Sequence, residues 1–201
     1  MTLKGYEQVL MEDNLPTARH EFGHHFVARE LGFQVGSVQI ASKHAIGGPG
    51  GGAELDLLFP IFDLPGLKDF CERRVKVLMA GVLAEAMEDC SIDHERARIF
   101  CRGSGLNDFA KWRELLRLLR NIEHPGTRSI EAAGDELQKL ADRLWNEAAQ
   151  IVLKHCVLIE KLACELAMRR IERTNALFTA NELAQHEDII AAFGAPGAGG
   201  A

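Results

Sequence analysis

The chain has 201 residues, of which 47% are hydrophobic and 26% are charged, a composition that predicts one globular domain over residues 1–190. Its formal net charge of −6 argues against general attraction to nucleic acid or anionic lipid, so neither partner is expected. No apolar run approaches the roughly 20 residues that span a bilayer, and the N-terminus lacks a secretory pattern. We therefore expect a cytoplasmic protein without a membrane segment.

The first predicted helix begins at Asn14, has Pro16 in its first turn and ends near Leu31. Asparagine is a good helix N-cap, and a proline at the first helical position removes no hydrogen bond from the helix. Gly32 then provides a typical C-terminal stop. The sequence thus predicts a helix of about 17 residues at the start of the domain.

A small β element is expected after this helix. Residues 36–41 alternate enough between apolar and polar side chains to form a short strand, and residues 53–59 form a second one. The glycine-rich segment 47–52 separates them. This order of strand, glycine-rich segment and strand predicts a hairpin with a long, mobile loop.

The remainder of the chain follows a helical period. The predicted helical segments are 67–89, 93–101, 107–121 and 130–173, the last as one very long helix or two in close succession. Thr179 and Glu182 fit a capping box that opens a final short helix. Residues 191–201, rich in glycine and alanine, are predicted to be a disordered tail. The expected fold class is mainly α, with a small β-hairpin or sheet near the N-terminus.

The five cysteines show no CxxC spacing. Their number is odd, and most lie among helical apolar residues, so all are predicted to be buried, reduced thiols. They are Cys71, Cys90, Cys101, Cys156 and Cys164.

The pentapeptide His20-Glu21-Phe22-Gly23-His24 indicates a zinc site. The two histidines are four residues apart, so a helix places both imidazoles on one face, where they can bind a single metal ion. Glu21 is rotated away from the metal but can reach a metal-bound water and accept its proton as that water attacks a carbonyl. The sequence thus predicts Zn²⁺ as cofactor, His20 and His24 as ligands, and Glu21 as the general base of a hydrolase. Histidines without a catalytic role are the alternative.

A catalytic zinc normally has three protein ligands, and the residues alone leave the third one open. Asp108 follows a glycine-containing break and opens a helix, where an aspartate is more ordinarily a cap or a partner of the helix dipole. Glu85 resembles the glutamate ligand of thermolysin-like enzymes, which also comes from a downstream helix. Weaker candidates lie in predicted loops or short segments, namely His44, His94 and His124. Spacing alone does not choose among them.

Three motifs occur in a fixed order along the chain. They are His20-Glu21-x-Gly23-His24, Met79-Ala80-Gly81-x-x-Ala84-Glu85 and Gly105-Leu106-Asn107-Asp108. The set resembles the peptidase domain of the FtsH-type membrane AAA proteases, in which the motifs run H-E-A-G-H, L-A-G-R-x-A-E-E and G-A-S-N-D-L. The family also has a hairpin beside its active site and a terminal L-T-x-E-E-L segment, which Leu177–Leu183 resembles. The likeness covers about residues 15–190 and implies an FtsH-like peptidase fold.

The resemblance implies roles for the candidate residues. Asp108 would be the third zinc ligand, Glu21 the general base, and Glu85 a residue close to the site that does not bind the metal. The hairpin edge would take an extended peptide as an added strand. The sequence shows neither the transmembrane segment nor the ATPase module of the family, and Phe22 replaces a small residue in the zinc motif. Expected substrates are therefore peptides or unfolded or flexible segments, unless a separate ATPase docks.

The predicted function is that of an ATP-independent zinc metalloendopeptidase. One alternative is a catalytically silent zinc-binding module with a regulatory or interaction role, in which a fourth ligand such as His44 or Glu54 would close the metal position. Another is a helical binding protein without a metal. Oligomer formation is typical of the resembled family, but no motif in this chain indicates it.

Overall fold

The computed structural model describes residues 3–41, 51–172 and 175–194. The helices are α1 (Leu3–Glu30), α2 (Leu64–Glu85), α3 (His94–Phe100), α4 (Leu106–Glu123), α5 (Ile130–Lys154), α6 (Cys156–Glu172), α7 (Ala180–Gln185) and α8 (Glu187–Phe193). The strands are β1 (Gln34–Ala41), β2 (Gly51–Asp56), β3 (Met87–Glu88), β4 (Ser91–Ile92) and β5 (Asn175–Phe178). The expectation of a mainly helical chain with a small sheet near the N-terminus is confirmed. Across these described ranges, every helix falls short of the length and apolar character of a membrane span.

The helix α1 forms the centre of the core, where it packs against α2 and α6. The contact with α2 is close because Gly23 has no side chain: a Cβ there would lie 2.5 Å from the Ala80 carbonyl oxygen and 2.6 Å from the Ala84 Cβ. Phe22 and Phe26, fully buried on α1, stack with ring centroids 5.8 Å apart. Burial of side chains of this size contributes about 1.5–3 kcal/mol each. The glycine therefore lets the histidine-bearing helix lie directly against α2, and the two rings anchor the helix in the core.

The two ends of α1 differ in how well the sequence predicts them. The predicted start at Asn14 is wrong, because the helix extends back to Leu3 and Pro16 lies inside it. A proline withholds only its own N–H from the helical ladder, so a helix can continue through it with a local bend. The predicted end is confirmed at Gly32, whose φ of +81° suits glycine. There Phe33 N–H donates to the Ala28 carbonyl (2.9 Å), closing the helix.

The larger sheet has the strand order β2-β1-β5, and both pairings are antiparallel. The β1–β2 pair is the predicted hairpin, although β2 ends at Asp56 rather than at residue 59, and the intervening residues 42–50 lie outside the described ones. The strand β5 was not predicted. It pairs with β1 through Phe178 opposite Val38, and the Phe178 ring lies edge-on to Phe22 with centroids 5.9 Å apart. The sheet is thus anchored on the face of α1.

Side-chain caps fix where several helices begin. The Asp63 carboxylate accepts the Gly66 N–H at the start of α2, and Asp93, Ser129 and Thr179 cap α3, α5 and α7 in the same way. The cap of α7 is the predicted capping box, which is confirmed. These caps explain why α3 and α5 start within one residue of their predicted positions, whereas α2 starts at Leu64, three residues before its predicted start.

Two predicted boundaries in the helical part need correction. The segment 67–89 is helical only to Glu85, after which β3 and β4 form a small hairpin. Residues 191–193, predicted to belong to a disordered tail, are the last residues of α8, and the Phe193 ring stacks on Phe26 at 6.0 Å. The rest of that tail, 195–201, lies outside the described residues. Of the two alternatives predicted for 130–173, the structure has two helices in close succession, separated at His155.

The prediction of reduced thiols is wrong for two cysteines. Cys90 lies in the turn between β3 and β4 and forms a disulfide with Cys156 at the start of α6, 66 residues away. Residues so far apart in sequence are brought together only by the tertiary fold, so spacing could not predict the pair. Cys71 and Cys101 are free and buried as predicted, and Cys164 is free but only half-buried. Because disulfides are rare in cytosolic proteins, the pair weighs against the predicted cytoplasmic location.

Candidate metal centre

Three predicted metal ligands converge between α1 and α4. His20 and His24 lie one turn apart on α1, and Asp108 lies in the first turn of α4. Asp108 Oδ2 is 3.3 Å from His20 Nε2 and 3.1 Å from His24 Nε2. One ligand atom from each side chain lies within 4.8 Å of the others, a separation that permits a shared metal ion. The ordinary explanation of Asp108 as a helix cap does not apply, because α4 has no side-chain cap hydrogen bond.

The hydrogen bonds on the far side of each imidazole ring determine its tautomer. His24 Nδ1 lies 2.7 Å from the Val77 carbonyl oxygen, which can only accept, so this nitrogen carries the proton. His20 Nδ1 lies 2.8 Å from Glu85 Oε2 and donates in the same way. In the neutral rings both Nε2 atoms then present lone pairs towards the Asp108 carboxylate. Three electron-rich groups at this distance repel one another unless a proton or a metal ion lies between them, and this donor set fits a metal ion such as Zn²⁺.

The pKa values of His20 and Asp108 reflect the same preference for a positive charge between them. Burial alone would lower the pKa of His20, but its hydrogen bonds with Asp108 and Glu85 outweigh burial and raise it to about 10. Burial would raise the pKa of Asp108, but hydrogen bonds with His20 and His24 hold it well below its usual value. Without a metal ion, the cluster thus retains a proton near the place where a bound cation would lie.

Glu85, the second candidate for the third ligand, lies behind the His20 ring and not beside His24 and Asp108. Its carboxylate accepts from His20 Nδ1 and from Ser104 Oγ, the latter at 2.7 Å. Glu85 is 7% exposed, and its hydrogen bond with His20 is buried, whereas the bond with the exposed Ser104 is only partly buried. A carboxylate in this position fixes the ring orientation and increases the basicity of the opposite nitrogen.

Two glycines allow the elements around the centre to approach each other. A Cβ on Gly81 of α2 would lie 2.5 Å from His20 Nε2 and 2.6 Å from His24 Nε2. A Cβ on Gly105, just before α4, would lie 2.3 Å from Val82 Cγ1. Any larger residue at position 81 would therefore crowd the point where the ligand nitrogens converge.

Glu21 lies next to the centre on the same helix and is 8% exposed. Burial raises the pKa of its carboxyl group, while attraction to His24 and His20 opposes that shift and the Ala53 N–H donates to it. A Cβ on Gly51 would lie 2.6 Å from Glu21 Oε1, so the strand β2 passes directly over the carboxylate. A carboxylate with a raised pKa beside a metal site is suited to accept and return a proton.

A cleft of about 240 Å³ opens onto these groups and is bounded by α1, β2, α2 and α4. Its walls include the β2 backbone from Gly51 to Ala53 and two cationic side chains, Arg74 and Lys111. Neither Arg74 nor Ser104 was predicted as a site residue, because an arginine in a helical segment and a serine in a helix break are both common. Only the packing of α2 and α4 brings them here.

The other residues considered as ligands have different partners or cannot be placed. His94 accepts a hydrogen bond from Trp145 Nε1 at 3.0 Å, and His124 lies 3.7 Å from a Glu136 carboxylate oxygen. Glu54 accepts from the backbone and the hydroxyl of Ser37 on β1. His44 lies outside the described residues. Within the described part of the chain, none of these candidates joins the three convergent side chains.

No protein-family model matches the chain, and no curated protein matches it in a sequence comparison. The functional conclusion below therefore rests on the geometry and chemistry of this centre.

Proposed function

We propose that the chain is a zinc-dependent endopeptidase that cleaves peptides or unfolded or flexible segments without ATP. The observation that carries this proposal is the convergence of His20, His24 and Asp108 beside Glu21, in a cleft that is open to solvent. Two nitrogen ligands and one carboxylate leave a fourth position of a tetrahedral zinc available, as hydrolysis requires.

Each protein group in this proposal has a separate task. His20, His24 and Asp108 would hold the metal, and Glu85 and the Val77 carbonyl would keep the two imidazoles in the required tautomer. Zinc bound there supplies Lewis acidity, which lowers the pKa of a coordinated water and polarises a carbonyl.

Glu21 would act as the general base and then as the general acid. Its raised pKa brings the carboxyl group closer to the pH at which it can both accept a proton from water and pass it to the leaving amine. Its position in the cleft, rather than behind the histidines, supports this role over that of a structural carboxylate.

The edge strand β2 supports binding of an extended peptide. It lies at one end of the β2-β1-β5 sheet, and its backbone from Gly51 to Ala53 lines the cleft. A substrate added to this edge would form backbone hydrogen bonds with little dependence on its sequence. This mode agrees with what the resemblance to the FtsH-type peptidase domain implies, and we extend that resemblance to the fold as part of the proposal. A docking ATPase and an oligomer remain further parts of that proposal.

The donor set of two histidines and one carboxylate also suits Fe²⁺, so the bound metal has to be identified in a separate measurement. Glu21 favours zinc and hydrolysis because a buried proton acceptor beside the metal is what peptide hydrolysis needs. The silent zinc module is less well supported, since the candidate fourth ligand Glu54 bonds to Ser37 instead.

The test compares the wild type with Glu21→Gln in cleavage of an unfolded protein such as casein, with metal content measured on the same samples. Glutamine keeps the size of the side chain but cannot accept the proton, so we expect at least a 100-fold loss of cleavage with zinc retained. Cleavage at the wild-type rate in Glu21→Gln would overturn the mechanism. Zinc bound by the wild type without cleavage of any unfolded substrate would favour the silent module.

A further inference from the structure

Arg74 is a cation of the cleft that has no function in the chemistry described above. It lies four residues before Leu78 and seven before Gly81 on α2, so all three share the helix face that borders the metal centre. The Arg74 side chain is half-buried, and it forms no hydrogen bond or ion pair with another residue of the described ranges. Its pKa is lowered by burial, and only attraction to Asp108 opposes that shift. Asp108 is thus the charge that offsets the burial of this arginine.

Lys111 adds positive charge at the α4 side of the same cleft. Its Nζ lies 3.7 Å from Asp108 Oδ1, the oxygen that does not face the histidines. The Asp108 carboxylate now attracts both Arg74 and Lys111. A metal ion bound by Asp108 would neutralise most of its negative charge. Glu85 cannot replace Asp108 as the anionic partner of these two cations, since the Glu85 carboxylate lies behind His20 and accepts a hydrogen bond from Ser104. The metal-loaded cleft would therefore hold more positive than negative charge, with Glu21 as its remaining carboxylate.

We propose that Arg74, assisted by Lys111, binds a carboxylate of the substrate, so that the enzyme prefers peptides with an anionic group close to the scissile bond. This inference rests on the proposed function, and it adds the substrate class. A guanidinium group suits a carboxylate because its planar fork can donate two parallel hydrogen bonds. Arg74 lies two helical turns, about 10 Å, from Gly81, a distance that an extended peptide covers in about three residues. The carboxylate can belong to an acidic side chain or to the C-terminus of the peptide.

The first experiment measures binding rather than cleavage. The zinc-loaded protein is titrated with the monohydroxamate of suberic acid, whose chain is long enough for this distance, and with its neutral amide, since the hydroxamate group of both binds zinc and only one carries a carboxylate. We expect the wild type to bind the carboxylate compound at least about tenfold more tightly. Arg74→Gln should bind both compounds equally. The control is Arg117→Gln, which removes an exposed cation of α4 outside the cleft and should keep the wild-type preference.

The second experiment distinguishes the two sources of the carboxylate. Three matched peptides are compared as substrates: one with an internal glutamate and an amidated C-terminus, one with glutamine and a free C-terminus, and one with glutamine and an amidated C-terminus. Faster cleavage of the first identifies an acidic side chain as the bound group. Faster cleavage of the second, close to its end, identifies the terminal carboxylate. In either case Arg74→Gln should reduce the rate to that of the neutral peptide.

The outcomes separate this inference from the function on which it rests. If both hydroxamates bind the wild type equally, or if the preference survives in Arg74→Gln, the assignment of Arg74 is wrong while the zinc site stands. If the protein binds neither zinc nor either hydroxamate, the proposed function and the inference fall together.

Discussion

The surroundings of the His24 side chain determine which ring nitrogen is available to bind a metal. Its Nδ1 donates to the Val77 carbonyl, so its neutral ring must present the Nε2 lone pair to the cleft. His20 is prepared differently, because its Nδ1 donates to a carboxylate that also accepts from Ser104. The carboxylate increases the basicity of the His20 ring, and its contribution to the metal site can be tested.

Replacement of Glu85 by alanine should weaken the metal site without abolishing it. His20 would lose the group that fixes its ring, whereas all three proposed ligands would remain. We expect the zinc affinity to fall by about 10–100-fold, measured by competition with a chromophoric chelator. Ser104→Ala, which removes only the second hydrogen bond of Glu85, should have a smaller effect in the same direction. Unchanged affinity in Glu85→Ala would show that this carboxylate does not support His20.

Gly81 should tolerate no side chain. The Cβ of Gly81→Ala would lie 2.5 Å from His20 Nε2, so α2 or the imidazoles must move and the zinc site should be lost. The matched control is Gly134→Ala on α5, where a Cβ would meet no atom within 4 Å. That change should increase the free energy of unfolding by about 0.5–1 kcal/mol, because alanine is the better helix former. Metal analysis and urea unfolding of both variants check the pair, and wild-type zinc content in Gly81→Ala would contradict the packing described here.

The sequence predicted the two histidines and Glu21 because their spacing within one helix determines their geometry. Asp108 and Glu85 were only candidates, since helices that are distant in sequence bring them to His20, and the resemblance alone ranked them. Arg74 was missed for the same reason. Sequence spacing thus predicts the relative positions of side chains on one helix. The positions of side chains on different helices depend on tertiary packing, which hydrophobic periodicity does not encode.

The helices and strands were likewise predicted where local residues determine them and missed where long-range packing does. Gly32 and the cap at Thr179 were predicted because their chemistry is local. The continuation of α1 through Pro16 was missed, because the local rule for proline describes the commonest position and not the packing of this helix. The strand β5 was missed because four residues are too few for an alternating pattern, and its pairing with β1 is a long-range contact.

The disulfide between the β3–β4 turn and the start of α6 should contribute substantially to stability. It joins Cys90 and Cys156 across 66 residues of sequence, and closing a loop of that size restricts the unfolded chain. The chain-entropy relation gives about 4 kcal/mol. We expect Cys90→Ser combined with Cys156→Ser to lower the free energy of unfolding by about that amount in urea titrations. Wild type in excess reductant should unfold like the double variant, and equal stability of the oxidised and reduced forms would argue against the pairing.

His155 connects the C-terminal end of α1 with α8. This histidine lies between α5 and α6, its ring stacks on Phe193 of α8 at 4.7 Å, and its Nε2 lies 3.0 Å from Glu30 of α1. Lys154 also forms an ion pair with Glu30. Burial lowers the pKa of His155 more than its bond with Glu30 raises it, while the hydrogen bond from Lys154 is the main cause that lowers the pKa of Glu30.

These shifts predict that acid destabilises the fold. Since the folded pKa of His155 lies below 6.5, the unfolded chain takes up the proton first, and stability decreases as the pH falls below about 6.5. The contribution of Glu30 is present above its unfolded pKa of 4.5 and is lost as the pH falls through its lower folded value. We expect His155→Gln to show a smaller loss of unfolding free energy than wild type between pH 7.5 and 5. Parallel pH profiles for the two proteins would exclude His155 as a source of the effect.

The metal content of the purified chain is the first quantity to measure, because every proposed function of the cleft depends on it. Wild type and Asp108→Ala, prepared without chelator, are compared by elemental analysis, with circular dichroism to verify that both are folded. The convergence of His20, His24 and Asp108 predicts one zinc per wild-type chain and its loss from Asp108→Ala. A folded wild type that refuses added zinc, or a folded Asp108→Ala that retains zinc with wild-type affinity, would contradict the centre proposed here.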